Sequence, residues 1–297
     1  MNLTIIGFGS FGQAIASLVK TNAHVKISAW DLVDTGDACQ VSDVSEAVAG
    51  ANVVFFAVPS AFFADCLKGI AGVPQQAVLV AGTKGIDPVS GKSPFELLQK
   101  TFPNNPVAVL SGPMLAEEIT RGVETCATVA AKDRKIFASV LEVFENTPLK
   151  LCFTKDLIGV SLAGVLKNVY TLAFGLSDGL QMGANFKSCV VLQAIKEMQA
   201  IIQVLGGEAS TMMTHAGLGD LLATGYSLSS RNYSYGFGLG GVQGNDNKAT
   251  VEGIKNIETI LAKLPDKNSF PLICAVEEIF LKDVPAKERL LQALRVC

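Results

Sequence analysis

The chain has 297 residues, of which 49% are hydrophobic, enough for two domains with substantial apolar cores. A net charge of -3 and a pI near 5.5 argue against a broad basic surface, so we do not expect nucleic acid as a partner. The seven cysteines show no CxxC spacing and there are only two histidines, which predicts neither a disulfide framework nor a metal site. The chain opens on a strand-like run rather than a secretory signal, which predicts a cytoplasmic protein.

Short runs of β-branched residues alternate with helical stretches through the first half of the chain. This alternation predicts an α/β fold with a Rossmann-type, doubly wound and mostly parallel sheet covered by helices on both faces. Glycine, proline and aspartate residues mark turns between the runs. The six predicted strands are LTIIGFG, VKISAW, NVVFFAV, AVLVAG, VAVLSG and ATVAAK.

Beyond the segment PLKLCFT the pattern becomes helical, which predicts an all-α second domain. We expect a dinucleotide-binding domain over 1–152 and a helical substrate domain over 153–297. A membrane span is the alternative for LIGVSLAGVLKNVYTLAFGL, but its charge near the bilayer midplane would cost roughly 2.5 kcal/mol or more. A buried helix without stable membrane insertion is therefore predicted. The expected helices cover 156–180, 185–205, 214–223, 251–263 and 272–281.

The segment IIGFGSFGQAIA carries the pattern G-x-G-x-x-G at Gly7, Gly9 and Gly12, between a predicted strand and a predicted helix. In this context the glycines allow a tight turn, the approach of a pyrophosphate, and close packing of the helix on the strand. Asp31 follows the second strand, where a carboxylate accepts hydrogen bonds from a ribose and disfavours the extra phosphate of NADP. We therefore expect NAD in preference to NADP. A solvated loop aspartate is the alternative.

Lys167 and Asn168 interrupt the apolar run LIGVSLAGVLKNVYTLAFGL. Oxidation of an alcohol needs a base for the hydroxyl proton, and burial or a nearby cation favours the neutral, basic form of a lysine. Lys167 suits that task, and Asn168 could hold a hydroxyl or carbonyl oxygen. The alternative is a structural lysine, salt-bridged across the helices.

The segment HAGLGDLLATGYSLSSRNYSYGFGLGG, residues 215–241, holds a second set of polar residues. Asp220 and Thr224 are four residues apart and share one face of a helix. Arg231 and Asn232 combine a planar cation with an amide, a pair that binds phosphate well, although a surface pair is the alternative. Together with Lys167 they predict a small phosphorylated alcohol as the substrate.

Six stretches in this order extend the pattern: TKG, SGPMLAEEI, GVLKNVYTLAFGLSDGL, AGLGDL, SRN and VEG. In them the chain resembles the NAD(P)-dependent glycerol-3-phosphate dehydrogenases, from the glycine loop nearly to the C-terminus. The resemblance implies hydride transfer between a nicotinamide cofactor and the pair sn-glycerol 3-phosphate and dihydroxyacetone phosphate, supplying glycerol 3-phosphate for phospholipid synthesis. It also implies a cytoplasmic homodimer.

The resemblance further implies residue roles, with Lys167 as the general base and Arg231 with Asn232 on the substrate phosphate. Lys84 is expected where substrate and nicotinamide meet, its charge favouring the neutral form of Lys167. The implied substrate-binding residues are Lys84, Gly112, Asn168, Asp220, Thr224, Ser230, Arg231 and Asn232. The implied cofactor-binding residues are Gly7, Gly9, Ser10, Phe11, Gly12, Asp31, Lys84, Ala116, Arg231 and Glu252.

Two other functions stay open at the level of the sequence. A related dehydrogenase of a 3-hydroxy acid or of ketopantoate would also use a lysine, but a carboxylate substrate would not need the AGLGDL and SRN segments together. A redox-sensing protein could instead bind NAD(H) without catalysis, although it would not need Lys167, Asp220 and Arg231 together.

Overall fold

The computed structural model describes residues 1–241 and 251–295, and the chain forms two compact units, Met1–Ser161 and Leu162–Cys297. The first unit is built on a seven-stranded sheet with the spatial order β2-β1-β3-β4-β5-β6-β7. Every neighbouring pair of strands is parallel except β5 with β6. The strands are β1 (Asn2–Ile6), β2 (Lys26–Trp30), β3 (Val53–Phe56), β4 (Val78–Ala81), β5 (Val107–Ser111), β6 (Thr125–Ala131) and β7 (Leu149–Thr154).

Helices cover this sheet and bury its centre. Every residue of β3, β4 and β5 is buried, as expected of strands covered on both faces. The predicted α/β, mostly parallel fold is therefore confirmed. The helices of this unit are α1 (Ser10–Val19), α2 (Val44–Val48), α3 (Ser60–Lys68), α4 (Pro94–Thr101), α5 (Ala116–Thr120) and α6 (Arg134–Val143).

The strand β7 is an addition to the six strands predicted from the sequence. It lies at one edge of the sheet, paired only with β6 among the described strands, and exposes Lys150 and Cys152. A short edge strand with alternate exposed residues gives a weak sequence signal, because only one of its faces is apolar. The domain boundary expected between residues 152 and 153 lies in this strand and remains a prediction.

The second unit is all-α in the residues that are described, as predicted. All five predicted helices are present, while α10 and α13 were not predicted. A 3₁₀ turn (Ala209–Met213) and a π turn (His215–Gly219) precede α9, and a second 3₁₀ turn is Lys267–Ser269. The helices are α7 (Leu157–Gly179), whose first five residues belong to the first unit, α8 (Gly183–Val204), α9 (Asp220–Gly225), α10 (Arg231–Leu239), α11 (Glu252–Lys263), α12 (Pro271–Lys282) and α13 (Ala286–Leu294).

The helix α7 is the central element of the second unit. It is long and apolar enough to cross a membrane, but 78% of its most apolar 18-residue segment is buried inside the protein. A membrane-spanning helix would present that apolar surface to lipid, whereas α7 presents it to other parts of the chain. We therefore assign α7 as a core helix.

The helices α7 and α10 approach each other through glycines. A Cβ atom on Gly175 would lie 2.0 Å from a carbonyl oxygen of α10, and one on Gly236 would lie 2.1 Å from a carbonyl oxygen of α7. Gly179, the last residue of α7, and Gly240, the residue after α10, meet in the same way. Only glycine permits this backbone contact, which explains why α10 is glycine-rich and still helical.

A buried carboxylate fixes the start of α12. Glu197, on α8, accepts hydrogen bonds from the backbone N–H groups of Leu272 and Ile273 at 2.7 and 2.9 Å. The Tyr170 hydroxyl and the Gln193 amide donate to the same carboxylate at 2.8 and 2.9 Å. Burial raises the pKa of Glu197, while these four donors oppose that shift. The carboxylate thus joins α7, α8 and α12.

Candidate active site

The glycine loop joins β1 to α1, and its three glycines meet different constraints. Gly7 has a φ of +91°, which favours glycine, and a Cβ on Gly12 would lie 2.1 Å from the Gly7 carbonyl oxygen. A Cβ on Gly9 would instead have nothing within 4 Å. Gly9 therefore leaves open space beside the N-terminus of α1, where free N–H groups favour an anion. This arrangement fits the pyrophosphate of a dinucleotide.

Asp31 connects the end of β2 to the glycine loop. Its carboxylate accepts hydrogen bonds from the N–H groups of Phe8 at 2.5 Å and Val33 at 3.1 Å. A carboxylate has further lone pairs for ribose hydroxyls. The following segment, LVDTGDA over 32–38, contains two aspartates and neither lysine nor arginine. The segment itself contains no cation for the additional phosphate of NADP, and the Lys20 ammonium that contacts it is paired with Asp37 at 3.1 Å.

Lys84 and Gly112 lie together on the loops that follow β4 and β5. The Lys84 Nζ donates to the Gly112 carbonyl oxygen at 3.1 Å. Gly112 has a φ of +159°, and a Cβ there would lie 2.8 Å from the Cα of Ala127, so the loop presses against β6. The strands β1, β4 and β5 run in one direction. The glycine loop and these two loops therefore all lie at the carboxyl ends of the strands, on the same side of the sheet.

Three further residues proposed for the cofactor lie at helix starts. Ser10 and Phe11 open α1, where Ser10 is exposed and the Phe11 ring lies 6.0 Å from the ring of Phe55. Ala116 is the half-buried first residue of α5. All of these side chains belong to the first unit.

The second unit holds Lys167 in a buried polar cluster with Asp220 and Thr224. The Lys167 Nζ lies 3.1 Å from the Asp220 carboxylate and donates to the Thr224 hydroxyl at 2.7 Å. The same hydroxyl lies 3.3 Å from that carboxylate. The side chains of Lys167 and Asp220 are only 8% and 2% exposed. Asp220 and Thr224 share one face of α9, as their spacing predicts.

This cluster balances one buried cation with one buried anion. An isolated ammonium in an apolar helix would be costly, so the Asp220 carboxylate and the Thr224 hydroxyl compensate for its lost hydration. The arrangement holds an amine at a fixed point with a hydrogen-bonded proton. Such an amine can give a proton to, or take one from, an oxygen placed beside it.

The local chain path explains where Asp220 lies. The π turn His215–Gly219 runs directly into α9, and a Cβ on Gly217 would lie 2.4 Å from the carbonyl oxygen of Met212. The AGLGDL segment therefore needs a glycine to pass close to the preceding turn. Single π turns are frequent at functional sites.

Asn168, the neighbour of Lys167, belongs to a second buried network. The Asn232 amide nitrogen donates to the Asn168 side-chain oxygen at 3.0 Å, and the Gly253 N–H donates to the Asn232 side-chain oxygen at 2.8 Å. A Cβ on Gly253 would lie 2.2 Å from the Asn168 carbonyl oxygen. The network thus joins α7, α10 and the start of α11, where half-buried Glu252 is the first residue.

Ser230 and Arg231 occupy the start of α10. Ser230 is buried, and its hydroxyl accepts the Tyr233 N–H at 3.3 Å as the helix cap. Arg231 is exposed, and its guanidinium has no hydrogen-bond or ion-pair partner within residues 1–241 and 251–295. A helix N-terminus with an adjacent guanidinium favours an anionic group.

The structure thus places the predicted residues in separate groups. In the first unit, Asp31 contacts the glycine loop and Lys84 contacts Gly112. In the second unit, Lys167 contacts Asp220 and Thr224, and Asn168 contacts Asn232, while no hydrogen bond within the described residues joins the Arg231 guanidinium to either cluster. Gly253 was not predicted as a site residue, although a glycine in the first turn of a helix, as in the VEG segment, is a signal for close backbone packing.

Comparisons with known proteins agree over both units. The family descriptions "NAD-dependent glycerol-3-phosphate dehydrogenase N-terminus" and "C-terminus" match residues 35–137 and 156–290. A glycerol-3-phosphate dehydrogenase (NAD(P)+) of Synechococcus sp. (strain JA-2-3B'a(2-13)) is 36% identical over 241 residues, covering 80% of this chain and 74% of the relative. One from Agrobacterium fabrum is 33% identical over 273 residues, covering 84% of each chain.

A solved structure shares the arrangement of the elements. The glycerol-3-phosphate dehydrogenase of Coxiella burnetii superposes with a TM-score of 0.85 at 26% identity, covering 99% of this chain and 98% of that one. The C-terminal family match includes every residue of the two buried clusters around Lys167 and Asn168.

Proposed function

Because the chain belongs to the NAD-dependent glycerol-3-phosphate dehydrogenase family, we propose that it interconverts sn-glycerol 3-phosphate and dihydroxyacetone phosphate with NAD or NADP. The family matches confirm the family that the sequence motifs indicated. The observation that carries the proposal is the buried cluster of Lys167, Asp220 and Thr224, since an amine held in this way supplies the proton transfer that a dehydrogenase requires.

The first unit is proposed to bind the cofactor, which when bound supplies or accepts the hydride at C2 of the substrate. The glycine loop is proposed to hold the pyrophosphate and Asp31 to accept the ribose hydroxyls, supported by the open space at Gly9 and the position of Asp31 beside Phe8. The other residues proposed to contact the cofactor are Ser10, Phe11, Lys84, Ala116, Arg231 and Glu252.

Lys167 is proposed to move the proton of the reaction. During reduction its Nζ gives a proton to the C2 oxygen, and during oxidation it takes the proton back. Asp220 and Thr224 fix the position of that nitrogen. Lys84, Gly112 and Asn168 are proposed to surround the reacting end of the substrate.

Arg231 is proposed to bind the substrate phosphate, supported by its exposed guanidinium at the start of α10. Asn232 carries two amide hydrogens, one of which donates to Asn168, and we assign the second to a phosphate oxygen. Ser230 is proposed to line the same pocket. Fixing the non-reacting phosphate holds C2 in place, so that a remote contact raises the rate.

We also propose a cytoplasmic homodimer that supplies glycerol 3-phosphate for phospholipid synthesis. The support is the family membership together with the apolar content of the helical unit. Gel filtration with light scattering tests the oligomeric state, and a monomeric mass at micromolar concentration would contradict it.

A single assay tests the reaction, the substrate and the cofactor. The purified protein is incubated with dihydroxyacetone phosphate, ketopantoate or the oxidised form of 3-hydroxyisobutyrate, each with NADH and with NADPH, and nicotinamide absorbance is followed. We expect oxidation with dihydroxyacetone phosphate, with kcat/KM for NADH exceeding that for NADPH by about tenfold or more, because Asp31 repels the additional phosphate.

Each negative result in this assay has a defined meaning. Turnover of a carboxylate substrate in place of dihydroxyacetone phosphate would assign a different dehydrogenase activity. Cofactor binding with no turnover of any substrate would favour the redox-sensing alternative. A preference for NADPH would refute the role given to Asp31 but leave the reaction standing.

A further inference from the structure

A second buried lysine lies in the helical unit, apart from Lys167. Lys187, on α8, is 8% exposed, and its Nζ lies 2.5 Å from the carboxylate of Asp178 near the end of α7. The same Nζ lies 4.0 Å from the ring centroid of Tyr226 and 5.2 Å from that of Tyr233. The lysine therefore contacts one anion and two aromatic rings at once, and we name these four residues the Lys187 cluster.

A hydrogen bond closes this cluster. The Tyr233 hydroxyl donates to the Asp178 oxygen that contacts Lys187, at 2.5 Å. Burial raises the pKa of Tyr233 above its ordinary value, and this hydrogen bond raises it further. The hydroxyl therefore keeps its proton and remains a donor. Asp178 thus holds the lysine and the tyrosine together.

The positions of the two tyrosines in the chain give the cluster its significance. Tyr226 directly follows α9, and Tyr233 lies in the first turn of α10. The connection 226–230 between these helices is mostly exposed, with Leu228 at 65%, and it leads directly to Arg231. Lys187 therefore contacts the chain on both sides of the segment that presents Arg231.

The chemistry of these contacts requires a cation. An ammonium over two aromatic faces gains attraction from both rings, and the carboxylate compensates for its lost hydration. A neutral side chain of similar length could fill the space but would leave Asp178 without its charged partner. The start of α10 would then lose the contact between the Lys187 ammonium and the Tyr233 ring.

We propose that Lys187 is a positioning residue that holds Arg231 where it binds the substrate phosphate. The inference rests on the proposed function, because it takes Arg231 as the phosphate ligand. Lys187 itself needs no contact with substrate or cofactor. Its effect passes through Tyr226, Tyr233 and the first turn of α10.

A double-mutant cycle tests the proposal with the full-length protein. The variants are Lys187→Met, Arg231→Met and the combination, and kcat/KM for dihydroxyacetone phosphate is measured at saturating NADH. We expect Lys187→Met to lower kcat/KM about tenfold in the wild-type background, mainly through KM, and less than about twofold in the Arg231→Met background. Any change in the KM for NADH should likewise depend on the presence of Arg231, because Arg231 is also proposed to contact the cofactor.

Two matched variants separate positioning from a general effect on stability. Lys196→Met removes an exposed lysine from the same helix and should leave kcat/KM unchanged. Lys187→Arg keeps a cation for Asp178 and for the rings, so it should recover most of the activity that Lys187→Met loses. A structural role alone would not make the loss depend on the presence of Arg231.

The outcomes distinguish the inference from the proposed function. Equal losses from Lys187→Met in both backgrounds would overturn the positioning role. If Lys187→Met does not fold, Tyr233→Phe removes only the hydroxyl on Asp178 and must show the same dependence on Arg231, or the inference fails. Absence of dihydroxyacetone phosphate reduction by the wild-type protein would instead overturn the proposed function.

Discussion

Lys167 illustrates how one buried side chain can have both a structural and a chemical role. Its ammonium contacts Asp220 and Thr224, so the salt-bridged lysine considered from the sequence is present in the structure. A salt bridge does not exclude proton transfer, because the partners that compensate for burial also fix the nitrogen in space. An experiment must therefore separate the two roles.

The combination of Lys167→Met with Asp220→Asn separates them. Lys167→Met alone should lower kcat by about 100-fold or more and also lower stability, because it leaves the Asp220 carboxylate buried without its partner. Adding Asp220→Asn should restore much of the free energy of unfolding but none of the activity. Urea denaturation and steady-state kinetics measure the two effects.

The control for this pair is NADH binding, followed by the change in nicotinamide fluorescence. Binding should persist in both variants, because the proposed pyrophosphate contacts lie in the glycine loop. Activity near that of the wild type in either variant would show that Lys167 is structural only.

At the scale of elements, the contact between α7 and α10 determines where the polar side chains lie. The two helices meet through two pairs of glycines, which bring their backbones into contact. This close approach places Asn232 within hydrogen-bond distance of Asn168. The glycines thus act on the site indirectly, by setting the distance between the helices that carry it.

Gly236→Ala tests this contact. A Cβ there would lie 2.1 Å from the carbonyl oxygen of Leu172, so α10 must move away from α7. We expect a loss of about 1–3 kcal/mol in the free energy of unfolding, even though alanine has the higher helix propensity. The activity of the folded fraction should also fall as Asn232 and Arg231 shift.

Gly69→Ala is the matched control for that substitution. Gly69 ends α3 with a φ of -87°, and a Cβ there would meet only the Cys66 carbonyl oxygen at 3.8 Å, an ordinary contact. The urea midpoint of the Gly69→Ala variant should stay close to that of the wild type. Equal midpoints for Gly236→Ala and Gly69→Ala would contradict the close packing of α7 on α10.

At the scale of the whole molecule, the net charge of -3 contrasts with the anionic ligands of the proposed reaction. A protein with a small negative charge attracts such ligands only through local fields. We propose that those fields come from particular groups: the N-terminus of α1 and Lys84 in the first unit, and Arg231 with the N-terminus of α10 in the second. Binding therefore depends on placement rather than on total charge.

Binding of NADH should stabilise the folded protein, because the ligand binds the native state in preference to the unfolded one. At a free concentration of about 100 times Kd the gain is about 2.7 kcal/mol, which should appear as a clear rise in Tm by differential scanning fluorimetry. NADPH at the same concentration should produce a smaller rise in Tm, because the Asp31 carboxylate repels its additional phosphate.

Gly9→Val is the informative variant for this measurement. Gly9 has an extended backbone with a φ of -70°, and a Cβ there meets nothing within 4 Å, so the protein should keep its Tm without ligand. The new side chain would fill the space proposed for the pyrophosphate and should remove the rise caused by NADH. A full NADH-dependent rise in this variant would place the cofactor elsewhere.

Several features of this protein follow from its sequence alone. The glycine loop, each strand of the parallel sheet, and the shared face of Asp220 and Thr224 are each indicated by a pattern that spans only a few residues. Such patterns report local requirements: a tight turn, a strand covered on both faces, or a helical repeat. The family resemblance adds the reaction, because its six motifs occur in the expected order.

Other features were decided only by the tertiary structure. The partner of Lys167 lies 53 residues away, and the glycine-rich α10 is helical because α7 packs against it. The Lys187 cluster joins residues from α7, α8, α10 and the connection that follows α9, which no local pattern links. Burial and long-range contact override local propensity at these positions, and the neighbours that a buried charge requires are known only once the chain has folded.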